Sequence, residues 1–245
     1  MTEPQEPQDP QPGDAPAKVV SRAAVVRQLC RLYDDARYLE VGVWRGATFD
    51  KVPAARKVAV DPDFRLSPPP AERDEPGTEF HEVTSDDYFA RIVGRDEQFD
   101  VVFLDGLHVY EQTLRDLMNT LDHLQPDGVV VVDDTHPPTH LCSLPDRDHY
   151  FAVRDYLGET DKRWMGDIYK LVWFVQTFCP HLTYRTISDN HGQTVFWRKP
   201  RTDVPQRSLR QVADLTFEQM VADEDVLQLR PWQTIRRELR RDLGL

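Results

Sequence analysis

The sequence predicts an α/β protein with a mostly parallel sheet of about seven strands and helices on both faces. Short apolar segments typical of buried parallel strands lie at 38–43, 57–60, 80–83, 99–104 and 128–132. The stretch 110–124 carries apolar residues at helical spacing and is stopped by Pro126 and Gly128, which completes a strand–helix–strand unit. Two final apolar runs, 182–187 and 193–198, flank turn-forming residues and predict a closing antiparallel hairpin.

Segments outside the sheet divide the chain further. Residues 1–16 are rich in proline and acidic residues and contain no Lys or Arg, which predicts a disordered tail before a domain at 17–200. That domain is expected to open with a helix of about 15 residues from Val19. The segment 135–165 places prolines among histidines and aspartates, and a loop of this length usually carries function.

The last part of the chain, 201–245, is predicted to be a helical extension. Ile235, Leu239 and Leu243 recur at helical spacing and form one apolar stripe. This stripe predicts a docking helix, and a contact between subunits of a homo-oligomer is one use for it.

Composition limits the classes of partner. A chain of 245 residues is ample for one α/β domain and short for two independent ones. The net charge is -12 and no basic run follows a phosphate backbone, so nucleic acid is not expected as a partner. No apolar stretch approaches the roughly 20 residues that cross a bilayer, which predicts no membrane association and a cytoplasmic location. Cys30, Cys142 and Cys179 lie far apart and fit neither a disulfide framework nor a zinc site.

The segment 38–48 predicts a strand that runs through a glycine-containing turn into a helix. Gly42 allows a tight backbone turn beside a ligand, and Gly46 removes a Cβ where the helix would pack. The dinucleotide fingerprint GxGxxG is absent. Asp61 ends the second strand, where an acidic side chain can accept both ribose hydroxyl protons, although the sequence Asp-Pro-Asp at 61–63 is also an ordinary turn opener.

Acidic residues follow the fourth and fifth strands. Asp105, Asp133 and Asp134 are expected at one edge of the sheet, where their carboxylates repel one another unless a cation joins them. Mg²⁺ suits such oxygen ligands. His108 enters the next helix close by and could accept a hydroxyl proton, whereas His136 is an alternative base or a substrate contact.

These motifs resemble the class I S-adenosylmethionine-dependent methyltransferases, and within them the metal-dependent O-methyltransferases. The resemblance rests on Glu40-x-Gly42-x-x-x-Gly46, on FDVVFLDGLHVYE at 99–111 and on VVVVDDTH at 129–136. It implies the Rossmann-like fold of that class, with S-adenosylmethionine as methyl donor and Mg²⁺ as the metal.

The resemblance also implies which residues hold the cofactor. Those expected along the methionine and ribose moieties or beside them are Glu40, Gly42, Gly46, Thr48, Asp61 and Asp105. Ser85 and Asp86 match the family position beside the adenine ring, although Ser-Asp is also a common helix N-cap.

Two branches of these enzymes fit the pattern. In the catechol type, the spacing of the first two metal ligands matches this chain, but the base is a lysine and the third ligand an asparagine. His108 and Asp134 therefore favour the branch that tailors sugars and macrolides. The acceptor implied is a hydroxyl of a small molecule.

Two other functions remain open from the sequence. One is metal-independent methyl transfer, in which the aspartates only shape the pocket. The other is a non-catalytic protein that binds S-adenosylmethionine as a scaffold or regulator, because a fold alone does not imply activity.

Overall fold

The structure, a computed structural model, describes residues 20–245, so the predicted tail at 1–16 lies outside the described residues. Its sheet has seven strands in the order β3-β2-β1-β4-β5-β7-β6. The strands are β1 (Arg37–Val41), β2 (Arg56–Val60), β3 (Thr78–His81), β4 (Phe99–Leu104), β5 (Leu124–Val132), β6 (Leu182–Thr186) and β7 (Thr194–Arg198). Strand β7 is antiparallel to β5 and β6, and the other pairs are parallel. The predicted fold class is confirmed.

Helices cover both faces of the sheet. They are α1 (Arg22–Cys30), α2 (Ser85–Asp87), α3 (Tyr110–Asp122), α4 (Arg147–Leu157), α5 (Lys170–Phe178), α6 (Leu209–Ala213), α7 (Phe217–Ala222) and α8 (Trp232–Leu243). Alternate strand residues enter two separate cores: Val130 and Val132 pack with α3 and α5, and Val129 and Val131 pack with α1 and α8. Burial on both faces explains why these strands are apolar throughout.

Three elements differ from the sequence prediction. Helix α1 is nine residues long rather than about 15, because the Ser21 side chain caps its start at the Ala24 amide and a turn follows Cys30. The segment 135–165 is not a continuous loop, since α4 lies within it between the Asp146 N-cap and the left-handed Gly158. After Gly46 the chain forms only a three-residue 3-10 turn instead of the predicted helix.

The apolar stripe of the C-terminal segment packs against this chain's own core. Ile235 and Leu239 are fully buried in the cluster that contains α1, and Leu243 lies partly buried beside them. The Trp232 indole nitrogen donates to Gln28 on α1 at 3.1 Å. Helix α8 therefore holds α1 in place against the sheet. Within residues 20–245, no helix has both the length and the apolar character needed to cross a membrane.

Candidate active site

The candidate site lies at the carboxyl ends of the central strands. The Asp105 amide donates to the Val41 carbonyl at 2.8 Å, and the Asp133 amide donates to the Leu104 carbonyl at 3.0 Å. These bonds continue the sheet by one residue beyond β4 and β5. The loops that follow β1, β4 and β5 therefore meet at one edge, where open α/β sheets bind ligands.

Three carboxylates meet there, and we call Asp105, Asp133 and Asp134 the carboxylate cluster. Asp133 and Asp134 are buried, and the Asp105 side chain is one fifth exposed. Burial raises the pKa values of Asp105 and Asp134 well above their usual range, and the negative charge of Asp133 adds to both shifts. The carboxylates of the cluster therefore repel one another, and a bound cation would reduce this repulsion.

His108 borders the cluster as the sequence predicts. Its Nδ1 lies 2.6 Å from the Trp164 carbonyl oxygen, which fixes the proton on Nδ1 and leaves Nε2 as the acceptor. Nε2 lies 3.8 Å from Asp105 Oδ1, and Nδ1 lies 3.3 Å from Asp134 Oδ2. Burial lowers the pKa of His108, and the ring stacks on Trp164 at 4.9 Å between centroids. The imidazole is therefore held neutral and oriented.

Gly166 makes this position of His108 possible. Its φ is +62°, and a Cβ there would lie 1.7 Å from the His108 carbonyl oxygen. A similar approach occurs at Gly42, where φ is +89° and a Cβ would lie 2.0 Å from the Asp105 carbonyl oxygen. Both loops of the site thus depend on a backbone approach that only glycine allows.

The structure adds two residues that the sequence analysis missed. Arg22, the first residue of α1, places Nη1 2.5 Å from Asp133 Oδ2 and 3.4 Å from Asp105 Oδ2. His191, in the turn between β6 and β7, places Nε2 3.7 Å from Asp134 Oδ1. Only one sequence signal marked Arg22: a basic residue at a helix start is unfavourable for the helix dipole and so suggests another role.

Other sequence candidates lie away from the cluster. His136 Nε2 is 3.2 Å from Glu224 Oε1, so its imidazole faces the C-terminal segment. Asp167, which the sequence analysis did not single out, accepts from the Tyr110 amide at 2.8 Å and thereby caps the start of α3.

The predicted cofactor residues occupy the ends of β1 and the turn after it. Glu40 is buried, and burial raises its pKa to about 8, an effect opposed in part by the Tyr38 hydroxyl that donates to it. A Cβ at Gly46 would lie 2.7 Å from Leu66, so the predicted close packing is present, although against a loop. Thr48 is buried directly before the 3-10 turn.

Asp61 lies at the end of β2 and fastens the turn after β1. Its Oδ2 accepts from the Trp44 amide at 2.7 Å, and its Oδ1 accepts from the Asp63 amide at 2.8 Å. Both interpretations of this aspartate therefore remain compatible with the geometry. It opens a turn, and a carboxylate with about four lone-pair positions still has acceptors for a ribose diol.

Ser85 and Asp86 begin α2, which Thr84 rather than Ser85 caps. The Gln112 side chain donates to Ser85 Oγ at 3.2 Å, and Arg115 forms an ion pair with Asp86 at 3.1 Å. Both residues thus connect α2 to α3 after the third strand.

Comparison with known proteins agrees with this fold. The sequence profile of a family described as a methyltransferase domain matches residues 26–135, which contain β1 to β5 and the carboxylate cluster. Over these residues the chain resembles a methyltransferase domain. No curated protein sequence matches the chain.

Two solved structures share the methyltransferase fold. The methyltransferase PaMTH1 of Podospora anserina, bound to S-adenosylhomocysteine, is 18% identical with a TM-score of 0.51, and the match covers 73% of this chain and 78% of that chain. An O-methyltransferase of Bacillus cereus in complex with S-adenosylhomocysteine is 17% identical with a TM-score of 0.50, and the match covers 75% of this chain and 84% of that chain.

The residues of the methyltransferase site are compatible with a metal ion. Ligand atoms of Asp105, His108 and Asp134 all lie within 4.8 Å of one another. Asp133 Oδ1 is buried and has no hydrogen-bond partner among residues 20–245. Hard carboxylate oxygens in this arrangement are the donors that Mg²⁺ prefers.

Proposed function

We propose that this methyltransferase is an O-methyltransferase that moves a methyl group from S-adenosylmethionine to a hydroxyl of a small molecule, with Mg²⁺ as a second cofactor. The observation that carries the proposal is the convergence of Asp105, Asp134 and a neutral His108 at one edge of the sheet. Two structural relatives bind S-adenosylhomocysteine, and one is described as an O-methyltransferase, which supports the same activity here.

Each cofactor has candidate residues. Glu40, Gly42 and Asp61 surround the expected place of S-adenosylmethionine, while the oxygens of Asp105 and Asp134 would hold Mg²⁺. S-adenosylmethionine supplies an electrophilic methyl group, and a bound divalent cation lowers the pKa of a hydroxyl beside it.

His108 is the proposed general base, which accepts the proton of the acceptor's hydroxyl group. Because Nδ1–H donates to Trp164, the lone pair of Nε2 would be free to accept the hydroxyl proton of the acceptor. Asp105 Oδ1 at 3.8 Å stabilises the imidazolium that results. Trp164 stacks on the ring and limits the access of water to it.

The acceptor is best sought among vicinal diols, such as sugars and other secondary metabolites. Two neighbouring oxygens can face the cluster together, one near Nε2 of His108 and one near Asp134. The segment that contains α4 supplies Trp164 to this place, and connecting segments beside a site often carry specificity.

Metal-independent methyl transfer is a second candidate, and one observation favours it. The guanidinium of Arg22 already neutralises part of the cluster through Asp133 and Asp105. In that case His108 would act with Arg22 as the only cation.

Calorimetric titration with S-adenosylhomocysteine, with Mg²⁺ and again with excess chelator, tests the cofactor. Transfer of labelled methyl groups to a panel of sugars, catechols and other diols, with the same two additions, tests the reaction. We expect binding in both titrations and transfer only with metal. Transfer that persists with chelator would support the metal-independent reaction, and binding without transfer to any acceptor would support a non-catalytic role.

A further inference from the structure

Asp116 is a buried carboxylate that the proposed reaction does not use. It is 2% exposed and lies on the face of α3 that also buries Leu117 and Thr120. A carboxylate among such residues is unfavourable unless donors compensate its desolvation. Burial raises the pKa of Asp116, and hydrogen bonds from Ser85 and Gln112 oppose this shift only in part. The packing of α3 alone therefore gives no reason for an acidic residue at this position.

The side chain of Gln112 orients this carboxylate. Its Nε2 donates to Asp116 Oδ1 at 3.0 Å and to Ser85 Oγ at 3.2 Å. Arg115 donates to the carbonyl oxygen of Gln112, which keeps the NH₂ group of the amide on the side of Asp116. A carboxylate has about four lone-pair positions, and these contacts occupy only some of them. Asp116 therefore retains acceptor positions for a further donor.

The missing side chain of Gly106 leaves space beside Asp116. A Cβ at Gly106 would lie 3.6 Å from Val41 Cγ1 and 3.8 Å from Asp116 Oδ2, which are ordinary van der Waals distances. At Gly42 and Gly166, by contrast, a Cβ would collide with a backbone oxygen. The fold thus requires glycine at those two positions and would accept alanine at Gly106. A glycine that the fold does not require indicates the close approach of a ligand.

This space lies at the ligand-binding edge of the sheet. Gly106 follows β4, Ser85 follows β3 and Asp61 follows β2, and open α/β sheets bind ligands beyond such strand ends. Val41 gives the space an apolar side, the Gly106 backbone gives it a flat side, and Asp116 gives it a polar end. These surfaces fit a planar base that carries a hydrogen-bond donor on its edge. Adenine has such a donor in its exocyclic amine.

We propose that Asp116 recognises the adenine ring of S-adenosylmethionine by accepting a hydrogen bond from the exocyclic amine. This inference rests on the proposed function, because it concerns how the cofactor of that function is selected. Asp86 is the other acid near this space, but its side chain is 49% exposed and already forms an ion pair with Arg115 at 3.1 Å. Asp116 is thus a specificity-determining residue, remote from the reacting atoms.

Calorimetric titration of the full chain with two purine ligands tests the proposal. One is S-adenosylhomocysteine, and the other is S-inosylhomocysteine, in which a 6-oxo group replaces the amine. At about pH 8, where an aspartate is ordinarily ionised, the unaltered protein should prefer the adenine ligand by about 100-fold or more, because the carboxylate repels the 6-oxo group. Asp116→Asn keeps the side-chain size and can turn its NH₂ group toward the 6-oxo group, so the preference should fall to about threefold or less. Equal losses for both ligands would mean that Asp116 is only structural and would overturn the proposal.

Gly106→Ala tests the same space without altering Asp116. The added methyl group fits the fold but occupies the place of the base, so the affinity for both ligands should fall about tenfold or more. Unchanged affinities would show that no base lies beside Gly106, and the proposal would be wrong. This variant keeps the test decisive if Asp116→Asn folds poorly.

Two further variants separate Asp116 from its neighbours. Asp122→Asn makes the same chemical change at the exposed end of α3 and should leave the preference unchanged; a reduced preference would mean that general charge decides it and would overturn the proposal. If Asp86→Asn abolishes the preference while Asp116→Asn retains it, Asp86 recognises the base and the inference is wrong, although the cofactor stands. If the unaltered protein binds neither ligand, the S-adenosylmethionine part of the proposed function fails, and this inference fails with it.

Discussion

Acidic residues at the same edge of the sheet differ in whether the protein supplies hydrogen-bond donors to their carboxylates. Around β1 and β2, the chain supplies its own donors: two backbone amides bind Asp61, and the Tyr38 hydroxyl binds Glu40. Around β4 and β5, Asp105 and Asp134 face other acids, and Asp133 keeps one oxygen without a partner among the described residues.

We call these regions the β1–β2 half and the β4–β5 half of the site. The difference between them indicates which compensation of buried negative charge each half still needs. A buried carboxylate is stable when hydrogen bonds or counter-charges compensate its desolvation. Asp61 in the β1–β2 half meets this condition through two backbone amides, whereas the Tyr38 hydroxyl compensates only part of the desolvation of Glu40. The β4–β5 half meets it only in part, through Arg22, and is therefore suited to a cation.

His108→Ala should give the largest effect on the β4–β5 half. We expect the turnover number to fall about 10²- to 10⁴-fold, because the proton acceptor is lost, while affinity for S-adenosylhomocysteine stays within about threefold. Single-turnover kinetics and calorimetry measure the two quantities. Equal losses in turnover and cofactor binding would contradict the role of His108 as base.

Gly166→Ala should disturb the same half through its backbone. The new Cβ would collide with the His108 carbonyl, and we expect a loss of more than about 3 kcal/mol in the free energy of unfolding. Gly158→Ala is the matched control, since Gly158 has a similar φ of +69° but no atom within 4 Å of a Cβ. It should cost only about 1 kcal/mol in urea unfolding. Equal costs would show that left-handed strain, and not the contact with His108, decides stability.

Neutralising one aspartate in each half should change the free energy of unfolding in opposite directions. Asp134→Asn relieves repulsion in the cluster and should raise the metal-free free energy of unfolding by about 1 kcal/mol. Asp61→Asn leaves one backbone amide facing an NH₂ group and should lower it by about 1 to 3 kcal/mol. Asp63→Asn, at an exposed ion pair, should change it by less than about 0.5 kcal/mol. Changes of the same sign at Asp61 and Asp134 would remove the contrast between the halves.

The smallest effect is expected at Glu40 and depends on pH. Its pKa of about 8 in the folded protein exceeds its ordinary value of 4.5, so the folded state retains a proton that the unfolded state has released between these values. This contribution to stability is complete below pH 4.5 and is lost as pH rises to about 8. Glu40→Gln should therefore gain stability relative to the unaltered protein, by about 1 kcal/mol, between pH 5.5 and 6.5 in urea unfolding. A constant difference across this range would contradict the raised pKa.

The sequence was sufficient to predict the residues that directly follow central strands. Asp105 and Asp133 lie where expected, because the period and length of the apolar runs define strand ends, and parallel strand ends meet at one edge. His108 follows from the same logic, since it is three residues from Asp105.

Arg22 and His191 could not be placed from local patterns. They reach the cluster from α1 and from the β6–β7 turn, whose positions depend on contacts such as the one between Gln28 and Trp232, 204 residues apart. Helix α4 was missed for another reason. Tyr150 is its only buried residue, so no apolar stripe marks it, and only the capping residues at its ends did.

The approach of Gly42 to the Asp105 carbonyl joins the two halves without any side chain between them. A shift of either loop must move the other, so cofactor and cation binding should be thermodynamically linked. Such coupling is reciprocal: the factor by which Mn²⁺ tightens S-adenosylhomocysteine binding must equal the factor by which S-adenosylhomocysteine tightens Mn²⁺ binding. Calorimetric titrations in both orders measure the two factors, and a value of one in both would mean that the loops move independently. A factor above one would mean that cooperativity between the two ligands depends on the backbone contact of a single glycine.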